Sequence, residues 1–345
     1  MILAFESSCD ETAVAILAPP RQLRASLVAS QHEIHIPFGG VVPELAARRH
    51  MEVIVPLYQD ALVEAGITLD DVTGIAATCK PGLIGALLVG LSFAKSLAMG
   101  RNLPFIGVNH IEGHLNAVHL EHDDVPYPHL GVVVSGGHTE FYIVKGFADY
   151  QLLGATRDDA AGEAFDKVAK LLNLGYPGGP IVDKRAALGN PKAIRFSLPK
   201  MSESSKFGIG KYDVSFSGLK TAVALWVKQN DITDQPLSAD TINDLVASFQ
   251  YTAVEILMRS VSQIVTDHNL PAVVVSGGVA ANSALRKAMT DWGIQHNVRT
   301  YFPSMKLCVD NAAMIAYVGS QYLARGVTSN WDLNATASGA VGILT

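Results

Sequence analysis

Little of this chain is charged, and its cysteines are few and scattered. Asp, Glu, Lys and Arg make up 17% of 345 residues, and the formal net charge is −6. That balance excludes a generally basic nucleic-acid binder and a disordered, self-repelling chain. The three cysteines, Cys9, Cys79 and Cys308, lie far apart and form no CxxC, so they read as reduced thiols of a cytoplasmic protein. Neither GxxxxGK[ST] nor GxGxxG occurs. The nearest string, Gly208-Ile-Gly210-Lys211, has the wrong spacing, which removes the P-loop and dinucleotide fingerprints. The start meets Glu6, Asp10 and Glu11 too soon for a signal peptide. The longest apolar stretch, Gly82 to Met99, is broken by Ser92, Lys95 and Ser96 and is rich in small residues. It reads as a buried helix, with no membrane span expected.

What is present is apolar and glycine-rich: 49% hydrophobic residues and 30 glycines. With this length, that composition predicts two α/β domains, each with its own core. One charge asymmetry stands out. Residues 184–228 hold nine Lys/Arg against Glu203 and Asp213, a local +7, which leaves about −13 for the rest. Such a segment is either a solvated face or a surface for a phosphate backbone.

His110-Ile-Glu-Gly-His114 places two imidazoles four residues apart. On a helix both rings share one face, within reach of one metal ion. Surface or capping histidines give the same spacing, and the residues alone admit both readings. The spacing resembles HExxH, but Glu112 follows His110 by two, about 200° round a helix at ~100° per residue. A metalloprotease is therefore disfavoured. Residues 2–17 read as strand, polar turn, strand, with Ser7, Ser8, Asp10, Glu11 and Thr12 in the turn. Hydroxyls and acids there serve either the turn itself or a phosphate or metal site. Ser26 to His35 reads as extended and Pro43 to Ala65 as a helix, followed by strands over 71–79 and 103–108.

Pro126 and Pro128 mark a domain junction. Beyond them Val-Val-Val-Ser-Gly-Gly occurs twice, at 132–137 and 273–278. Each copy predicts a buried strand whose glycines let a ligand backbone or phosphate come close. Between the copies, residues 158–172 predict a helix carrying Glu163 and Asp166 on one face and stopping at Gly175. Tyr176-Pro-Gly-Gly-Pro180 predicts a tight turn, and 243–269 a long helix with Gln250, Glu255, Arg259 and Gln263 on its wet side. Asp310 sits in the N-cap region of a helix over 312–324, a position that is normally structural.

Eight stretches together resemble one family across essentially the whole chain: ESSCDET at 6–12, the histidine pair, SGGHT at 135–139, DDAAGEAFDKVAKLL at 158–172, YPGGP at 176–180, SFSGLK at 215–220, SGGVAAN at 276–282 and VDNAAMIA at 309–316. It is the tRNA N6-adenosine threonylcarbamoyltransferase family, the TsaD/Kae/Gcp group, in its bacterial form. The resemblance implies a two-domain α/β actin-like ATPase (ASKHA) fold with an interdomain cleft. Residues 1–129, completed by 310–345, would form the metal-bearing domain, and 130–309 the adenylate-binding one. It implies an acyltransferase that moves threonylcarbamoyl from threonylcarbamoyl-AMP to N6 of adenosine 37 in tRNAs reading codons that begin with adenine, releasing AMP. By resemblance, His110, His114 and Asp310 bind one Fe(II) per subunit, with Zn or Mg as substitutes in vitro. Val133, Val134, Ser135, Gly136, Gly137, Asp166, Gly179 and Asn282 hold the adenylate. Asp183 matches a substrate position used in part of the family. Archaeal members place a tyrosine ligand where this chain has Val133, so that ligand is absent. Asp10 or Glu11 would accept the amine proton, although no spacing selects between them. Expected partners are tRNA, an inactive paralogue of the TsaB type and a P-loop ATPase of the TsaE type, in the cytoplasm. The competing readings are an actin-type ATPase or small-molecule kinase, a scaffold without chemistry, and the disfavoured protease.

Overall fold

A computed structural model describes residues 1–199, 210–230 and 237–342. The chain divides into two compact units. The first comprises Met1–Asp124, Phe147–Asp149 and Pro303–Thr345, and the second Val125–Gly146 and Tyr150–Phe302.

The first unit opens with strands β1 (Ile2–Glu6), β2 (Glu11–Ala18) and β3 (Gln22–Ser30). A short helix α1 (His32–His35) and the long α2 (Pro43–Ala65) follow, then β4 (Gly74–Lys80), α3 (Ile84–Arg101), β5 (Phe105–Asn109) and α4 (His110–Asn116). The second unit carries β6 (His129–Val134), β7 (Thr139–Gly146), β8 (Asp149–Ala155), α5 (Ala161–Leu171), α6 (Gly178–Ala186), α7 (Ser217–Asn230), α8 (Ala239–His268), β9 (Ala272–Ser276), α9 (Ser283–His296) and β10 (Arg299–Tyr301). Helices α10 (Met305–Cys308) and α11 (Ala312–Ala324) belong to the first unit again.

Among the described residues each unit holds one five-stranded sheet, ordered β3-β2-β1-β4-β5 and β10-β9-β6-β7-β8. In the first sheet β1 pairs antiparallel with β2 and parallel with β4, and β4 runs parallel to β5. In the second, β6 pairs antiparallel with β7 and parallel with β9, which runs parallel to β10. The two sheets therefore share one topology: a hairpin-led meander on one side and parallel crossovers on the other. Parallel neighbours end at the same edge, where side chains from distant sequence meet.

Local sequence explains the boundaries. Pro43 occupies the first turn of α2, where its missing N–H costs nothing, and Gly66 stops the helix in a left-handed conformation (φ 66°). Strand β1 is buried along its whole length, as its run of apolar residues requires. Helix α3 is long and apolar enough to cross a membrane. Its small-residue stripe, Ala86, Gly90, Ala94 and Ala98, is buried, while Ile84, Leu88 and Met99 are exposed.

Several local expectations need correction. Ser26 to His35 is not one extended run, because β3 ends at Ser30 and α1 begins at His32. Helix α5 stops at Leu171 and Asn173 takes the left-handed turn (φ 52°), two residues before Gly175. Gly178 to Pro180 are already helical, as the first turn of α6. Gln250 is buried, not wet, because α8 is packed on more than one face. Lys200 and Lys206 lie outside the described residues. Lys211 reaches Asp267 at 2.7 Å and Lys220 reaches Asp159 at 2.7 Å, so these two cations of the basic segment are engaged within the chain.

His119, just after α4, stacks on Tyr317 of α11 with ring centroids 6.1 Å apart. Burial, with Arg21 and His122 adding to it, pulls its imidazole down to about 4. Its folded pKa lies below the unfolded value of ~6.5, so the unfolded chain binds the extra proton and stability falls as pH drops through that window. His119→Phe keeps a ring there and removes the titration. The melting temperature of the variant is expected to gain on wild type between pH 7 and pH 4.5. An unchanged difference would contradict the half-buried neutral imidazole.

Candidate metal centre and glycine-turn site

In the first unit the parallel strands β1, β4 and β5 end together, and β5 runs straight into α4. Asn109 caps that helix, its Oδ1 accepting from the amides of Ile111 (2.8 Å) and Glu112 (3.3 Å). The helix is buried throughout, so both histidines project into the interior rather than into water. Their rings meet edge to face with centroids 4.7 Å apart.

Helix α11 brings the third member. Asn311, not Asp310, is its N-cap, with Oδ1 accepting from the Met314 amide at 3.0 Å. That leaves the Asp310 carboxylate free of capping. Its Oδ1 lies 3.1 Å from His114 Nε2 and 3.5 Å from His110 Nε2. One ligand atom from each of the three residues falls within 4.8 Å of the others.

Sequence reasoning missed Glu6. It is 1% exposed, and its Oε2 lies 3.0 Å from His110 Nδ1 and accepts from the Thr78 hydroxyl. Ser8 Oγ stands 3.2 Å from the same nitrogen. A ring that donates Nδ1–H to a carboxylate keeps its Nε2 lone pair for a metal. The donor set fits one divalent cation: two imidazoles and a carboxylate converge, and the histidine is oriented from behind. Parallel strand order was the signal that could have found Glu6, since β1 and β5 flank β4 and finish at one edge.

The electrostatics follow from burial and proximity. Burial pulls His110 down, but the carboxylates of Asp310 and Glu6 overcome it and hold the imidazole well above its ordinary range. Burial also works against Asp310, and His110 beside it holds that carboxyl well below the usual range. His114 is lowered, chiefly by burial. Glu112 faces away from this group and accepts a hydrogen bond from the Tyr322 hydroxyl at 2.7 Å. It is not placed as a protease base.

Asp10 and Glu11 lie where the β1–β2 turn enters β2. Asp10 is buried, and Glu11 Oε1 stands 3.1 Å from His32 Nε2. Burial, with Asp10 and Asp310 adding to it, pushes Glu11 up to about 8.

In the second unit the two Ser-Gly-Gly turns leave neighbouring parallel strands, with Val133 in register with Ser276. Gly277 sits at φ 91°, and a Cβ there would meet the Val134 carbonyl oxygen at 2.4 Å, so only glycine fits. Gly136 and Gly137 face open space, as does Gly179. The side chains of Val133 and Val134 are wholly buried, so these residues offer only backbone. Ser135 O accepts from the Gly162 amide at 3.1 Å, which seats α5 on the first turn. Asp166 Oδ1 accepts from the Gly178 amide at 2.7 Å, joining α5 to α6. Asp183, on α6, accepts from Asn282 Nδ2 (3.1 Å) and from the Ser283 hydroxyl (2.8 Å). Asn282 also donates to Gln250 Oε1 at 2.8 Å, a partner that the sequence did not reveal. The expected ligand-holding residues thus hang on one hydrogen-bonded chain of elements.

The sequence model of the family described as tRNA N6-adenosine threonylcarbamoyltransferase matches residues 22–317. A protein of that name from Syntrophotalea carbinolica is 47% identical over 338 residues, covering 98% of this chain and 96% of the relative. Another from Geobacter sp. strain M21 is 50% identical, covering 97% and 95%. Among solved structures, full-length HypF in its phosphate- and nucleotide-bound form matches with TM-score 0.58 at 13% identity, over 98% of this chain and 56% of that one. The activator of 2-hydroxyisocaproyl-CoA dehydratase from Clostridium difficile matches with TM-score 0.50 at 15% identity, over 95% and 97%. At such identities the likeness shows the fold alone, which is the two-unit actin-like ATPase fold.

The capping assignment is open to test. Asn311→Ala is expected to lower stability by about 1 kcal/mol, read from the urea midpoint, because Asp310 does not replace the lost cap. An unshifted midpoint would mean that Asn311 is not the cap.

Proposed function

We propose how this chain, which belongs to the tRNA N6-adenosine threonylcarbamoyltransferase family, performs that transfer. The chain is an acyltransferase that modifies tRNA, and neither a kinase nor a protease reading is favoured. The observation that carries the assignment of parts is the convergence of His110, His114 and Asp310 in one buried corner. In our reading their Nε2 and carboxylate oxygens hold one divalent cation, Fe(II), with Zn or Mg as substitutes in vitro. Glu6 and Ser8 fix the His110 ring so that its Nε2 stays on target. When bound, the cation supplies Lewis-acid polarisation of the substrate carbonyl or carboxylate.

The second unit takes the adenylate. The Ser135-Gly136-Gly137 turn offers backbone N–H groups and an open approach to phosphate, with Val133 and Val134 contributing backbone alone. Asp166, Gly179, Asp183 and Asn282 shape the rest of that pocket. We assign the cation to the first unit and the adenylate to the second; the sequence bounds of 1–129 with 310–345 and 130–309 shift to breaks after Asp124 and before Pro303.

Threonylcarbamoyl-AMP is a mixed carbamic–phosphoric anhydride and already carries a good leaving group. The N6 amine of adenosine 37 attacks the carbamoyl carbon, the bond from that carbon to the phosphate oxygen breaks, and AMP departs. Asp10 or Glu11 takes the amine proton. The protein mainly holds two reactants in line, which is positioning catalysis. Our reading places the reaction in the cytoplasm, with a TsaB-type paralogue and a TsaE-type ATPase as partners.

The test is reconstitution with unmodified tRNA, threonylcarbamoyl-AMP and those partners, read by mass analysis of tRNA nucleosides. His114→Ala is expected to cut formation of the modified adenosine by about 100-fold, the scale of a few kcal/mol of lost charge stabilisation. A chelator should do the same to wild type. Full activity in the variant would overturn the role of the histidine pair.

A further inference from the structure

A second cluster lies in the first unit, on residues that the three-member group does not use. Strands β2 and β3 pair with Glu11 opposite Ser30, and the Gln31 amide donates to the Asp10 carbonyl at 3.1 Å. This register clamps the start of β2 against the chain just past the end of β3. His32, the first residue of α1, therefore stands over Asp10 and Glu11. Its Nε2 is 3.1 Å from Glu11 Oε1 and 3.9 Å from Asp10 Oδ2. One ligand atom from each of the three residues lies within 4.8 Å of the others.

The cluster is not a satisfied ion pair. Asp10 is 7% exposed, and among the described residues its Oδ2 has no hydrogen-bond partner. His32 sits too far from that oxygen to donate to it. A buried carboxylate oxygen without a donor is costly. A cation seated among the three would answer it, displacing the proton that burial favours on Glu11. A half-exposed imidazole at the mouth gives it a route in from solvent.

We propose that Asp10, Glu11 and His32 form a second divalent-cation site, separate in its ligands from His110, His114 and Asp310. Two carboxylates and one imidazole suit a borderline first-row ion such as Mn²⁺ or Zn²⁺ better than the harder Mg²⁺ or Ca²⁺. Each residue gives one ligand atom. The remaining carboxylate oxygens stay available as proton acceptors.

The experiment is Mn²⁺ binding to the metal-stripped full chain, followed by equilibrium dialysis and by the loss of the free-ion electron paramagnetic resonance signal. Wild type is expected to bind two equivalents, and His32→Gln one. His32 is part-exposed at the start of α1, and Glu11→Gln provides a second, independent lesion with the same expected loss. His114→Ala should lose the other equivalent and keep this one. One equivalent in wild type that survives His32→Gln, or two equivalents in both His32→Gln and Glu11→Gln, would overturn the proposal. One equivalent that His32→Gln abolishes and His114→Ala spares would support this site while removing the first, so the two readings fail separately.

Discussion

The close seating of α11 on the first sheet is the constraint on which the candidate centre depends. A Cβ on Gly319 would stand 2.5 Å from the Ala76 Cβ, and one on Gly113 would stand 3.0 Å from Ile315 and Met314 side-chain atoms. The helix therefore lies nearer to β4 and α4 than any larger residue would allow. Its inward face, from Ala312 to Tyr322, is almost wholly buried in the same core as Ala4, Ala76 and Val108. That apolar burial fixes the position of the helix, and Asp310 at its entry is carried along to the histidines. Packing thus does the aiming, and Asn311 does the capping that would otherwise engage a carboxylate.

The same logic runs through the second unit with glycine in place of histidine. Two valine strands lie side by side in parallel, and their turns leave at one edge. Gly277 has no room for a side chain, while Gly278 beside it and Gly136 and Gly137 of the other turn face open space among the described residues. The first lets the strands pack, and the other three leave room at the turns. Asp166, Asp183 and Asn282 then tie three helices to that edge through hydrogen bonds to backbone and side chains. Buried polar groups held in this way give a fixed geometry, which positioning catalysis needs.

Much of this was legible in the sequence where a single local period decided the outcome. Helix α2 runs from Pro43 to Ala65 as read, because proline and glycine punctuate a clear apolar stripe. The histidine pair and the paired Ser-Gly-Gly strands were visible for the same reason. Gln250 was misplaced because one helical stripe cannot describe a 30-residue helix packed on several sides. Strand β8 went unread because its residues are mostly exposed or half-buried and give no alternation. Glu6 and the return of Asp310 are tertiary facts. No spacing in the chain encodes that residues 104 and 196 positions from their histidines end up 3.0 and 3.1 Å away. For Asp310 the family resemblance supplied what spacing did not.

The central claim is that three side chains of the first unit share one metal ion. Anomalous X-ray diffraction from crystals of the protein purified with its native metal, recorded on either side of that metal's absorption edge, tests it most directly. The account predicts a strong peak in that corner, about 2.0–2.2 Å from the Nε2 atoms of His110 and His114 and from an Asp310 oxygen, with or without a second peak at Asp10, Glu11 and His32. A peak elsewhere, with those three side chains bonded only to one another, would contradict it.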